Sequence, residues 1–153
     1  MQAPVFTLTD TQNNAIPVMN FGVVDAGNQT GGFAVRIWNN QTNSQNIADA
    51  NNTTLTTKTL NGFDNGDSIQ NGEEVVEFTM LQVQCTSIGE TAYTPIGGPQ
   101  THPIGSQPVV NSGGGVTSIP SGAYAQMLLR ANVPQTATPG SINFLIRVNY
   151  QYA

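Results

Sequence analysis

The chain of 153 residues has the length of one ordinary domain, enough to bury most of its apolar surface around a single core. Only 8% of its residues are charged, where about 25% is usual, and 17 Asn, 18 Thr and 13 Gln supply polarity instead. Its four basic residues, Arg36, Lys58, Arg130 and Arg147, are too few to neutralise a row of phosphates, so neither nucleic acid nor a membrane is an expected partner.

Thr, Val, Asn and Gly dominate, and no window of a dozen residues places apolar side chains at helical spacing, so the chain reads as all-β. Phe6 and Leu8 predict a first strand, Asp10 to Asn14 a polar turn, and Ile16, Val18 and Phe21 a second extended segment. In Gly32 to Asn39, Phe33, Val35 and Ile37 alternate with Ala34, Arg36 and Trp38. That pattern gives a half-buried strand with one core row and one mixed outer row.

Asn39 to Asn52 reads as an Asn-rich loop and Thr53 to Leu60 as a Thr-rich strand. Asn61 to Glu74 carries three glycines among Asn and Asp, as turns require. Glu74 to Ile88 is predicted to be the longest strand, with a bulge near Phe78 to Met80 where its apolar face switches. Residues 89–122 form a Pro/Gly-rich insertion without sustained alternation, a long loop or a small hairpin of its own. Two strands, Ala123 to Val133 and Ile142 to Tyr152, close the chain. The expectation is one domain over residues 1–153, an immunoglobulin-like antiparallel β-sandwich of seven to eight strands.

The components of acyl, phosphoryl and hydride transfer are missing. His102 is the sole histidine and sits in the Pro/Gly loop with no nucleophile elbow nearby, and no Walker loop or dinucleotide fingerprint occurs. Cys85 is the sole cysteine, so it reads as a small buried hydrophobe. Asp64, Asp67, Glu73 and Glu74 cluster without EF-hand spacing, each beside turn-forming residues. They read as turn chemistry, and no metal or cofactor is expected. All nine acids lie at or before Glu90, which leaves −7 on the first 90 residues and +2 on the rest. The N-terminus has no basic region followed by an apolar run, so no ordinary signal peptide is expected.

Phe21-Gly22-x-Val24-x-x-Gly27, followed by Phe33, Val35, Ile37 and Asn39, resembles the opening of ASPM/SPD-2/Hydin-type immunoglobulin-like domains. Val133-Pro134, Ala137, Pro139-Gly140 and then Phe144, Ile146, Val148 and Tyr150 is similar to the last hairpin of many bacterial and phage modules of that kind. With the stretches Lys58 to Glu73 and Cys85 to Gly98, the whole chain resembles small immunoglobulin-like virion proteins of tailed bacteriophages.

The resemblance implies a non-enzymatic capsid decoration (cement) protein. It would be made in the host cytoplasm and placed on the outer surface of the head, with the major capsid protein and copies of itself, assembled as a trimer, for partners. Alternatives are a tail or baseplate component, and an adhesion or carbohydrate-binding module that uses Trp38 and the loop tyrosines. No catalytic residues carry over. The expected docking or intersubunit element is the long segment, through Tyr93, Ile96, His102, Ile104, Val109 and Val110, with the N-terminal strand as the second candidate. Trp38, on the opposite parity from the core row, is a further candidate for protein interaction, either covering a second surface within the domain or meeting a neighbour outside it.

Overall fold

The computed structural model describes residues 1–106 and 117–153, and among these eight strands form two antiparallel sheets. In chain order the strands are β1 (Phe6–Thr9), β2 (Phe33–Asn39), β3 (Asn51–Lys58), β4 (Leu81–Gln84), β5 (Thr94–Ile96), β6 (His102–Pro103), β7 (Tyr124–Ala131) and β8 (Leu145–Gln151). One sheet runs β1-β2-β7-β4-β5 and the other β6-β3-β8, so the chain is an all-β sandwich.

Between the sheets lie Val35, Ile37, Leu81, Val83, Ile96, Met127 and Leu129 from the larger sheet, facing Leu55, Ile104 and Ile119. Each such side chain, withdrawn from water, stabilises the fold by about 1.5–3 kcal/mol, more than the roughly 0–1 kcal/mol of an exposed ion pair. With four cationic side chains in the protein, these alternating rows hold it together.

The structure corrects four expectations. Ile16 to Phe21 is not a strand. Pro17 has no N–H to give, and Asn20 Oδ1 accepts the Gly22 N–H at 2.8 Å, turning the chain. Ile16, Met19 and Phe21 still pack against the core as an irregular cover.

The longest predicted strand is divided. Glu73–Glu77 is a short helix, α1, which buries Val75 and Val76 and has Glu73 and Glu74 in its first turn. A single helical turn is too brief to show a period. The expected bulge is the joint between α1 and β4, where Thr79 takes φ 48°. Gly72 opens α1 at φ 94°, and a Cβ there would lie 2.7 Å from Phe144 Cβ, so both backbone and space demand glycine.

The last two strands are not a hairpin: β7 pairs with β2 and β4, whereas β8 pairs with β3 in the other sheet. Residues 132–144 therefore cross from one sheet to the other. Nor is the Pro/Gly-rich segment one loop, because it contributes β5 to the larger sheet and β6 to the smaller.

Candidate functional site

Alternation along β2 and β7 sends Arg36 and Trp38, and Tyr124, Gln126, Leu128 and Arg130, to the outer face of the larger sheet. All six are half-buried there. The register sets Trp38 opposite Tyr124 and Arg36 opposite Gln126. The Trp38 and Tyr124 rings lie 4.7 Å apart between centroids, and the Arg36 guanidinium sits 4.3 Å over the Tyr124 ring. Arg36 Nε donates to Gln126 Oε1 at 3.0 Å and its Nη1 to Asn13 Oδ1 at 3.0 Å, which fixes the cation above the ring.

A second arginine repeats the arrangement farther along the face. Arg130 Nε donates to Gln82 Oε1 at 2.6 Å, and its guanidinium lies 3.8 Å over the Tyr93 ring. Tyr93 reaches from the β5 side of the sheet towards β2. Its hydroxyl would be 2.2 Å from a Cβ at residue 32, so Gly32 makes room for it. The face thus carries Trp38, two tyrosines and two arginines, and the strand positions on it hold no acid. Trp38 Nε1 is shielded from solvent without a hydrogen-bond partner.

Tyr93 and Trp38, far apart in sequence, therefore lie on one face of the larger sheet, towards opposite ends of β2. The remaining expected docking residues do not join them. Ile96 and Ile104 are fully buried in the core, which removes them from the surface and corrects their assignment. Val109 and Val110 lie outside the described residues. His102, half-buried on β6, pairs its Nε2 with Glu90 Oε2 at 2.6 Å, while Glu90 Oε1 accepts the Cys85 N–H at 2.7 Å. Glu90 thus pins the smaller sheet to the end of β4. Removing residues 99–115 would take away β6 and Ile104, so this segment belongs in part to the core.

Arg36, Tyr124, Gln126 and Arg130 were not expected. Their parity is readable in the sequence, but the pairing of β2 with β7, about 90 residues apart, is not.

Cys85 is buried, and that burial pushes its thiol up, away from the thiolate a nucleophile needs. Ser87 Oγ donates to Gly105 O at 2.5 Å and accepts the Gln126 N–H at 3.0 Å. Its hydroxyl is engaged with backbone, not with His102. Three of the acids near residue 70, Asp64, Asp67 and Glu74, are engaged by neighbouring groups. Asp64 pairs with Lys58, and Glu74 accepts from Thr138 N and Oγ1 at 3.0 and 2.9 Å. The Asn71 side-chain amide at 2.9 Å, together with the Ser68 N–H, holds the Asp67 carboxyl below the ordinary range. Among the described residues no three His, Cys, Asp or Glu side chains gather as a metal site. An open polar cleft of about 550 Å³, lined by residues such as Val23, Asp25, Asn28 and Asn132, contains no titratable pair. Likewise no described helix is long and apolar enough to cross a membrane.

No family model matches the chain, and neither a curated protein nor a solved structure does.

Proposed function

We propose that this protein is a non-enzymatic virion structural protein of a tailed bacteriophage, a decoration protein that binds the outside of the assembled head and stabilises it. In this reading the sandwich is an immunoglobulin-like module and its partner is the major capsid protein. The observation that carries the reading is the grouping of Trp38, Tyr93, Tyr124, Arg36 and Arg130 on one face of an otherwise weakly charged domain. These three residue types supply most of the binding energy where proteins meet, through large rigid contact area and planar cations. The likeness of the sequence to virion modules supplies the partner class.

Binding only the assembled lattice would lower its free energy relative to free subunits by mass action. A contact of roughly 1,200–2,000 Å² per copy is enough, and repetition over the shell multiplies it. The test is cosedimentation of the protein with intact heads and, in parallel, with dissociated capsid subunits. Saturable binding to heads alone is expected. Equal binding to both, or to neither, overturns the proposal. Association only with tails would favour the tail or baseplate alternative, and binding to a glycan array that Trp38→Ala abolishes would favour the adhesion module.

A further inference from the structure

The two sheets have four edges, and three of them are short: β1 has four residues, β5 three and β6 two. Natural proteins keep edge strands short, or guard them with proline, bulges or inward charges, because an open edge is a template for another strand. The fourth edge, β8, is different. It runs seven residues, Leu145–Gln151, with no proline and no inward charge, and its pairing with β3 is unbroken from Leu145 to Asn149. Among the described residues, no backbone or side-chain group outside β3 bonds to its main chain.

From these features we infer that β8 pairs antiparallel with β8 of a second copy, about a two-fold axis at Val148, joining the two three-stranded sheets into one of six. The strand is self-complementary in that register. Val148 meets its own copy, and Ile146 meets Tyr150 on the core side. Arg147 meets Asn149 and Leu145 meets Gln151 on the outer side. On the core side apolar side chains oppose apolar or aromatic ones, and no like charges stand directly opposite on either side. The single charge on β8, Arg147, leans back over the turn after β3, where its Nη2 lies 3.1 Å from the position of a Cβ on Gly62. It is drawn away from the open edge.

Exposed apolar surface flanks the edge. Tyr150 and Tyr152 are 37% and 49% exposed, their rings 6.2 Å apart, and Phe6 of β1 packs on Tyr150 at 5.0 Å. This inference does not depend on the capsid reading. It predicts two-fold pairs, in distinction to the trimer that the resemblance implies.

The experiment is sedimentation equilibrium on the full chain over a wide concentration range, with circular dichroism to show that each variant is folded. Wild-type protein is expected at twice the 16.2 kDa chain mass. Asn149→Arg places a cation opposite Arg147 of the other copy at two symmetric positions, and should weaken the pair about tenfold. Adding Arg147→Glu to Asn149→Arg makes those contacts attractive and should restore it. A wild-type chain that stays monomeric at high concentration, a threefold mass, or a dimer indifferent to Asn149→Arg would overturn the inference.

Discussion

Replacing Asn39 by alanine is expected to cost the fold about 2–4 kcal/mol, a large part of the roughly 5–15 kcal/mol that such a domain has in total. Asn39 ends β2 on the same parity as Val35 and Ile37, and it is fully buried. Its amide joins three stretches of chain that are distant in sequence. Oδ1 accepts the Val5 N–H at 3.2 Å, and Nδ2 donates to Ala48 O at 3.0 Å and to Ile119 O at 2.9 Å. Alanine would take from the Ala48 carbonyl its side-chain donor at a penalty of about 1–3 kcal/mol, would release the part-buried Val5 N–H, would leave the Ile119 carbonyl with the Ala50 N–H alone, and would open a small cavity.

Asn39→Asp separates the hydrogen-bonding account from simple packing. Its carboxylate could still accept from Val5 but would face two carbonyl oxygens, so the native state should raise its pKa above the unfolded value. Stability of this variant would be greatest below the unfolded carboxyl pKa, about 3.9, and be lost as pH rises through the folded value. Urea unfolding across pH measures both effects. A loss under about 1 kcal/mol for Asn39→Ala would show that the three contacts contribute little.

Trp38→Ala should leave the domain folded and weaken capsid binding by roughly 30- to 1,000-fold. A buried interface tryptophan is commonly worth about 2–4 kcal/mol, whereas its stack on Tyr124 adds only about 0.5–1.5 kcal/mol to the fold. Arg36→Lys tests the same surface more finely. It keeps the charge but loses the planar group over Tyr124 and the fixed bond to Gln126, so an intermediate loss is expected. Phe63, 64% exposed in the turn beyond β3, is a fitting control, and its replacement by alanine should change binding little. Normal binding by Trp38→Ala and Tyr124→Ala would move the docking site off this face.

What could be read from the sequence divides along physical lines. β2, β7 and β8 were legible because a strand with one buried side repeats every two residues, and seven or eight residues establish that period. α1 was not, since five residues cannot display a helical period, and its buried Val75 and Val76 look like strand residues. The strand parity of Asn39 already placed it in the core row. A polar residue there is a signal for a buried hydrogen-bonding hub, although its partners come from long-range folding.

The candidate site shows the same limit. The parity of Trp38 and the loop position of Tyr93 are readable in the sequence, but their shared face exists only because β7 lies between β2 and β4. In the sequence Ile96 and Ile104 read as loop residues because Pro and Gly surround them. In the fold Gly97, Gly98 and Pro99 are the turn that carries the chain from β5 in one sheet to β6 in the other, Pro95 and Pro103 lie in those strands, and both isoleucines are buried.

The most direct test of the account is a reconstruction of decorated heads by electron cryomicroscopy. It should show the protein on the outside of the shell, in a copy number set by the lattice symmetry, with Trp38, Tyr124 and Arg36 against the capsid protein. A ring of copies on the tail, or heads that bind the protein through another face, would contradict it.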